Sequence, residues 1–325
     1  MSQDKNTNQE LRESIYDVMP LIDDLLAESG IAIHKRFMRA GELFVHHFVR
    51  KSTFDSKEEL LNSEAYSVVF LPIFNDWYWD KYGELAKGPE RDVYCGLVLA
   101  YNTPVKILIP ATITRVVEPR KLAEITFPDS LEDYESIEDM LQTKFALDKM
   151  SESESSEFKI HAAKVVSLIR SINIDLNMAS NLPPAAEKLS KGIWSHMEKA
   201  ANDILTLTPE RASIACWDIH LAVEKTLKVL ISEKTRKLEH GHNLKVLAEK
   251  LAGSEPEINE HMFKNLPSDK EAIKLRYAEL IKSIPDAVSY YHATLEIISI
   301  IASKLEHKYG IKNASITLKP FPWAR

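Results

Sequence analysis

The side chains with the types and spacing to do chemistry fall into a few groups. His220, Glu224 and Lys228 stand at i, i+4 and i+8 in a run from Trp217 to Ile231. On a helix they line one face, while Leu221, Leu227 and Leu230 can serve a core. An imidazole, a carboxylate and an ammonium so placed form either a salt-bridged, partly solvated face or a polar site. A second group lies between Ile31 and Lys51. At 100° per residue Lys35, Arg36, Arg39, His46 and Arg50 gather on one arc of about 100°, opposite Phe37, Phe44 and Phe48. That basic arc is suited to phosphates or an acidic partner surface, or is a solvated face neutralised by the carboxylates of 129–139. Arg39 and His46 lie seven apart, so they share a face as a permissible Arg/His pair for RNA cleavage. His220, His240, His242 and His261 lack Cys or carboxylate at ligand spacing, so no metal site and no cofactor is expected. The sequence holds no Walker phosphate loop, GxGxxG, nucleophile elbow or HExxH.

The elements that must position these residues belong to a chain of 325 residues, about twice a ~150-residue domain. Apolar residues at 45% and charged residues at 27% are those of a folded globular protein. No stretch approaches ~18 uninterrupted apolar residues, so no membrane partner is expected, and the polar N-terminus implies a cytoplasmic address. Cys95 and Cys216 are too few for a disulfide framework and are expected as packed thiols. The net charge of -7 divides unevenly, with -12 over residues 1–157 and +5 over 158–325. That division suggests two units with different electrostatic roles.

The fold class expected is α+β: an N-terminal mixed domain with a small antiparallel sheet, followed by an all-α bundle of four or five helices. Helical patterns over 10–28 and 31–51 precede β-branched and aromatic runs between Asp92 and Phe127, which read as a small meander. The aromatics Phe70, Phe74 and Trp77 follow the spacing of a core stripe. The boundaries expected are an α+β recognition domain over 1–150, a linker at 151–157, a connecting helix over 158–186, a helical bundle over 187–310 and a tail over 311–325. The linker is read from Ser151-Glu-Ser-Glu-Ser-Ser-Glu157, which has no apolar side chain to bury. Val288, Tyr291, Leu295, Ile298, Ala302 and Leu305 alternate steps of three and four, as the seam of a long closing helix would.

Residues 217–231, Trp-Asp-Ile-His-Leu-Ala-Val-Glu-Lys-Thr-Leu-Lys-Val-Leu-Ile, followed by His240-Gly-His-Asn-Leu and by Leu275-Arg276-Tyr277, resemble the HEPN superfamily of helical bundles over about residues 187–310. The resemblance places a closing helix over 285–309. It implies a ligand site formed by His220, Glu224, Lys225, Lys228, His242, Arg276 and Tyr277, with nucleotide, RNA or a protein partner as ligand. It also implies a homodimer in a bacterial stress, toxin-antitoxin or phage-defence setting. Members of the superfamily that cleave RNA carry Arg-x(4-6)-His on the closing helix, where His manages protons and Arg stabilises the phosphorane. Here that helix offers His292 and His307 but no arginine. The reading is therefore a non-catalytic binding or dimerisation protein. Its alternatives are a divergent ribonuclease using His220 or His292 with Arg276, and a scaffold that dimerises through the closing helix.

Overall fold

Apolar residues recurring at helical spacing build the N-terminal region. In α1 (Ser2–Glu28) the buried stripe is Ile15, Met19, Ile22 and Leu26. It packs with Ala40 and Phe44 of α2 (Ile33–His47) and with Ile73, Phe74, Trp77 and Tyr78 of α4 (Leu71–Tyr82) in one core. The aromatic segment is thus core, as its spacing indicates. Between them lie the short α3 (Lys57–Leu61), capped by Ser56, and a π-helical turn at Tyr66–Phe70. The buried Asp23 ties these helices together. Its carboxylate meets Arg36 at 2.9 Å, Lys81 at 2.8 Å and the Tyr82 hydroxyl at 2.5 Å.

The computed structural model describes residues 2–88, 92–118, 122–145 and 147–319. The chain forms two compact units, one comprising Met1–Arg91, Arg115–Glu124 and Thr317–Arg325, the other Asp92–Thr114 and Ile125–Ile316. The second unit opens with the antiparallel hairpin β1 (Val93–Ala100) and β2 (Thr103–Pro110), in which Ala100 faces Thr103. Its two turn residues, Tyr101 and Asn102, both have positive φ, as the twist of a two-residue hairpin loop requires. The hairpin packs on α6 (Glu152–Met178) through Gly96, where a Cβ would come within 2.9 Å of Ile107, Ile109 and Val165. With the short α5 (Ile137–Met140), α7 (Pro184–Ile204), α8 (Pro209–Thr235) and α11 (Ile284–Ala302), these elements share one contiguous core. Short helices α9 (Leu244–Glu249) and α10 (Asp269–Arg276) pack against α8.

The α+β class stands, and several boundaries move. Residues 151–157 are no linker: Ser151 caps α6, and Glu154 returns the bond to complete a capping box. A helix whose first turns extend past its core shows the same composition as a linker, and the Ser-x-x-Glu spacing is what distinguishes them. Nor does 1–150 form one body, because Cys95–Ile109 of the hairpin share the core of α6 and α11. The expected meander is two sheets. β3 (Ile113–Glu118) and β4 (Leu122–Phe127) join β5 (Ala314–Leu318) in the order β3-β4-β5, so the tail supplies a strand. Residues 320–325 of that tail lie outside the described residues. The closing helix ends at Ala302, earlier than the expected 309, which leaves His307 off it. Its seam residues from Val288 to Leu305 are all buried in the chain's own core and offer no apolar face to a second chain.

Candidate functional site

The site is built on the middle of α8, where a polar face is buried. Glu224 is 5% exposed, and its two oxygens are both engaged: Oε1 accepts from Lys228 Nζ at 2.7 Å, and Oε2 lies 2.9 Å from His242 Nδ1. The i, i+4 spacing delivers the first partner, and the loop from Arg236 to Asn243 delivers the second. His220, 1% exposed, points Nε2 at the carbonyl oxygen of His242, 3.2 Å away. A carbonyl only accepts, so Nε2 carries the proton and donates. Nδ1 is then an unprotonated acceptor, buried and without a hydrogen-bond partner among the described residues. Burial pushes the His220 pKa below the usual imidazole range, outweighing the His242 carbonyl, Asp269 and Glu224, which favour the charged ring.

An aromatic and cationic rim surrounds this pair. The Trp217 indole stacks on the His220 ring, with centroids 5.9 Å apart and planes 5° apart. The Arg276 guanidinium lies 5.3 Å from the centre of the Trp217 ring and 5.4 Å from that of Tyr277. Both Arg276 and Tyr277 are exposed at the end of α10. Among the described residues no carboxylate pairs with Arg276. Asp269, the first residue of α10, places Oδ1 3.7 Å from His220 Nε2 and 3.5 Å from the Leu244 amide, so α8, α9 and α10 meet here.

Of the seven ligand residues expected from the sequence, six are brought to this region. Lys225 is not: its ammonium lies within 2.6 Å of where a Cβ on Gly192 of α7 would stand. Trp217 and Asp269 were missed, although the capping box Ser268-Asp-Lys-Glu271 marks the start of α10 and so locates Asp269.

Of the histidines in the ribonuclease alternative, His220 lies in this site beside Trp217 and Arg276, whereas His292, and with it His307, goes elsewhere. His292 donates from Nε2 to the Leu97 carbonyl of β1 at 2.7 Å, beside Tyr291, whose hydroxyl donates to the Cys95 carbonyl at 2.9 Å. The two side chains fasten α11 to an edge of the hairpin, and burial lowers the His292 pKa too. His307 donates to the Asp175 carbonyl at 3.1 Å, while Lys304 pairs with Glu257 at 2.5 Å, so these neighbours serve different partners.

The basic arc of α2 is divided. Arg36 turns inward to Asp23 and to the Ile31 carbonyl at 2.6 Å, and its side chain is only 12% exposed, so it is not a surface contact. Arg39 pairs with Glu42 at 2.6 Å. Lys35, Arg39, His46 and Arg50 are exposed, Arg50 beyond the end of the helix. The sequence pattern shows which residues share an arc and not that Asp23, on another helix, claims one of them. No family model, no curated protein and no solved structure matches this chain.

Proposed function

We propose that the helical region resembling HEPN bundles is a non-catalytic binding module, and that it takes a nucleotide or RNA strand on the rim formed by Arg276, Trp217 and Tyr277. The carrying observation is an exposed guanidinium held against an indole with no carboxylate partner among the described residues. Such a group offers a planar fork to phosphate oxygens, and the neighbouring rings offer faces for a base. Underneath, Glu224, Lys228 and His242 hold the loop that borders the rim. The setting implied by the resemblance is a bacterial stress, toxin-antitoxin or phage-defence system.

Catalysis fits these residues less well. A general base needs a lone pair within reach of the proton it takes. His220 offers one nitrogen already donating and another that is buried, and His292 is fastened to Leu97. The test is a titration of the full chain with a short single-stranded RNA and with nucleotides, followed by tryptophan fluorescence at low salt. Arg276→Gln should weaken binding by about tenfold or more, as loss of a hydrogen bond to a charged group does. Failure of the unmodified chain to bind either ligand would end this reading. RNA cleavage lost on His220→Ala would replace it with the ribonuclease.

A further inference from the structure

The seam between α7 and α8 carries a row of charges that is balanced at one end and unbalanced at the other. Toward the start of α8, Arg211 pairs with Asp203, Lys199 with Asp203 and Asp218, and His196 with Asp218. One helical turn before His196 on α7, the acids stop. Gly192 stands there, and the side chain of Lys225 from α8 lies across it. The ammonium is 2.6 Å, and the last two carbons of the stem 3.7 and 3.8 Å, from where a Cβ on Gly192 would be. Lys188 and Ser195, four before and three after Gly192, share its face of α7 and are exposed.

Lys225 is partly buried. Among the described residues neither it nor Lys188 meets a carboxylate or another acceptor, and the Ser195 hydroxyl is likewise without a partner. Neighbouring lysines are served by acids at i-4, Lys191 by Glu187 and Lys228 by Glu224, so the lack at Gly192 is local. Taking an ammonium partly out of water with no counter-charge is unfavourable. Glycine inside a 21-residue helix is also disfavoured against alanine, and here it opens the space that Lys225 fills. An anion bound at this point would offset both costs. Two ammonium groups and a hydroxyl are separate point donors, unlike the planar fork that grips a carboxylate. Two positive charges match the nearly double charge of a terminal phosphate, which exceeds that of a phosphate inside a nucleic-acid strand.

We propose that Lys225, Lys188 and Ser195, gathered around Gly192, bind a phosphate dianion, either free phosphate or the terminal phosphate of a larger molecule. The site lies on the seam with α7, and the proposal does not depend on the Arg276 rim.

The probe is inorganic phosphate, kept well above a second pKa of about 6 and at constant ionic strength. Its phosphorus NMR resonance should broaden as the full chain is added. Lys225→Gln should weaken binding about tenfold or more, as loss of a hydrogen bond to a charged group does. Lys188→Gln, at an exposed position, should weaken it about two- to fivefold. Gly192→Ala keeps both charges, and its Cβ lifts the Lys225 ammonium, the far end of a flexible side chain, off α7. Affinity should again fall about tenfold. Helicity and melting temperature should hold or rise, because alanine is the better helix former. Lys245→Gln, whose lysine pairs with Glu260 elsewhere, should change nothing. Displacement of phosphate by an RNA with a terminal phosphate, and not by the same RNA ending in a hydroxyl, would identify the RNA end as the ligand. Displacement by neither would leave small phosphates as the ligand, and both results uphold the site. The proposal is overturned if the unmodified chain leaves the resonance sharp, if either Lys225→Gln or Gly192→Ala binds undiminished, or if the hydroxyl-ended RNA displaces phosphate equally well. RNA binding at the rim is read separately by tryptophan fluorescence, so either reading can fail without the other.

Discussion

His220 and His292 are each held neutral by burial and each spend one nitrogen on a backbone carbonyl, and the two effects together make stability depend on pH. Their folded pKa values lie below the unfolded value of about 6.5. As pH falls through that value the unfolded chain takes up protons that the folded chain refuses. Stability is therefore full above about pH 6.5 and lost as pH falls toward the folded values. Urea midpoints should drop between pH 7.5 and 5.5, and His292→Gln, which keeps a donor and removes the titration, should make the drop shallower. An unchanged slope would mean that other groups carry the acid sensitivity. The thiols have no part in it, because burial pushes Cys95 up to about 11 and Cys216 up to about 12. At this scale the sequence showed that His220, Glu224 and Lys228 share a face. The direction of each ring nitrogen depends on a loop carbonyl and a strand carbonyl far away in the chain, and a helical pattern carries no trace of either.

Element placement in the second unit relies on Arg170 of α6. Its guanidinium is fully buried, grips both oxygens of Glu135 at 2.6 and 2.7 Å, and donates to the Ser130 and Pro110 carbonyls. One side chain thus secures the end of β2 and the loop before α5 to the helix. Arg170→Ala should destabilise the unit by about 3–5 kcal/mol, because Glu135 is left nearly buried and uncompensated. Arg170→Lys should rescue little of it, lacking the planar fork. Denaturant unfolding of the variants reads both.

In the first unit the π-helical turn pushes the Tyr66 hydroxyl against α2 at Gly41, where a Cβ would lie 2.2 Å from it. That hydroxyl is buried with no hydrogen-bond partner among the described residues. Gly41→Ala should cost about 1–3 kcal/mol through overpacking. Tyr66→Phe should be neutral or stabilising, since it removes a polar group that nothing satisfies. A melting temperature lowered by Tyr66→Phe would show that the hydroxyl has a partner after all. Helices were legible from their periodicity. The π turn was not, because Tyr66-Ser-Val-Val-Phe70 carries no spacing that separates it from an α-helical turn.

For the whole molecule, the core of the second unit draws on residues from Cys95 to Leu305. A fragment of residues 158–325 keeps most of the long helices and loses the hairpin, uncovering Val165 and Tyr291, which are buried in the intact chain. It should aggregate or melt without cooperativity, whereas a fragment of 92–318 should give a sharp transition by circular dichroism. A cooperative melt of the shorter fragment would return the boundary to 151–157. The composition of 151–157 invited that division because an exposed first helical turn and a linker are both polar. The hairpin's membership of the helical core could not be read locally, since its partners include Val165 and Tyr291, far along the chain.

The bonds from Tyr291 and His292 to the carbonyls of Cys95 and Leu97 span 196 and 195 positions. At about 5–20 residues per second, an emerging chain waits on the order of 10–40 s between making the hairpin and making the helix that closes over it. Through that interval α6 can cover the hairpin at Gly96, but the part of β1 that Tyr291 and His292 fasten stays open. The helix that completes this core leaves the ribosome some 195 positions after the strand it closes over, so the newborn chain depends on being sheltered in the meantime.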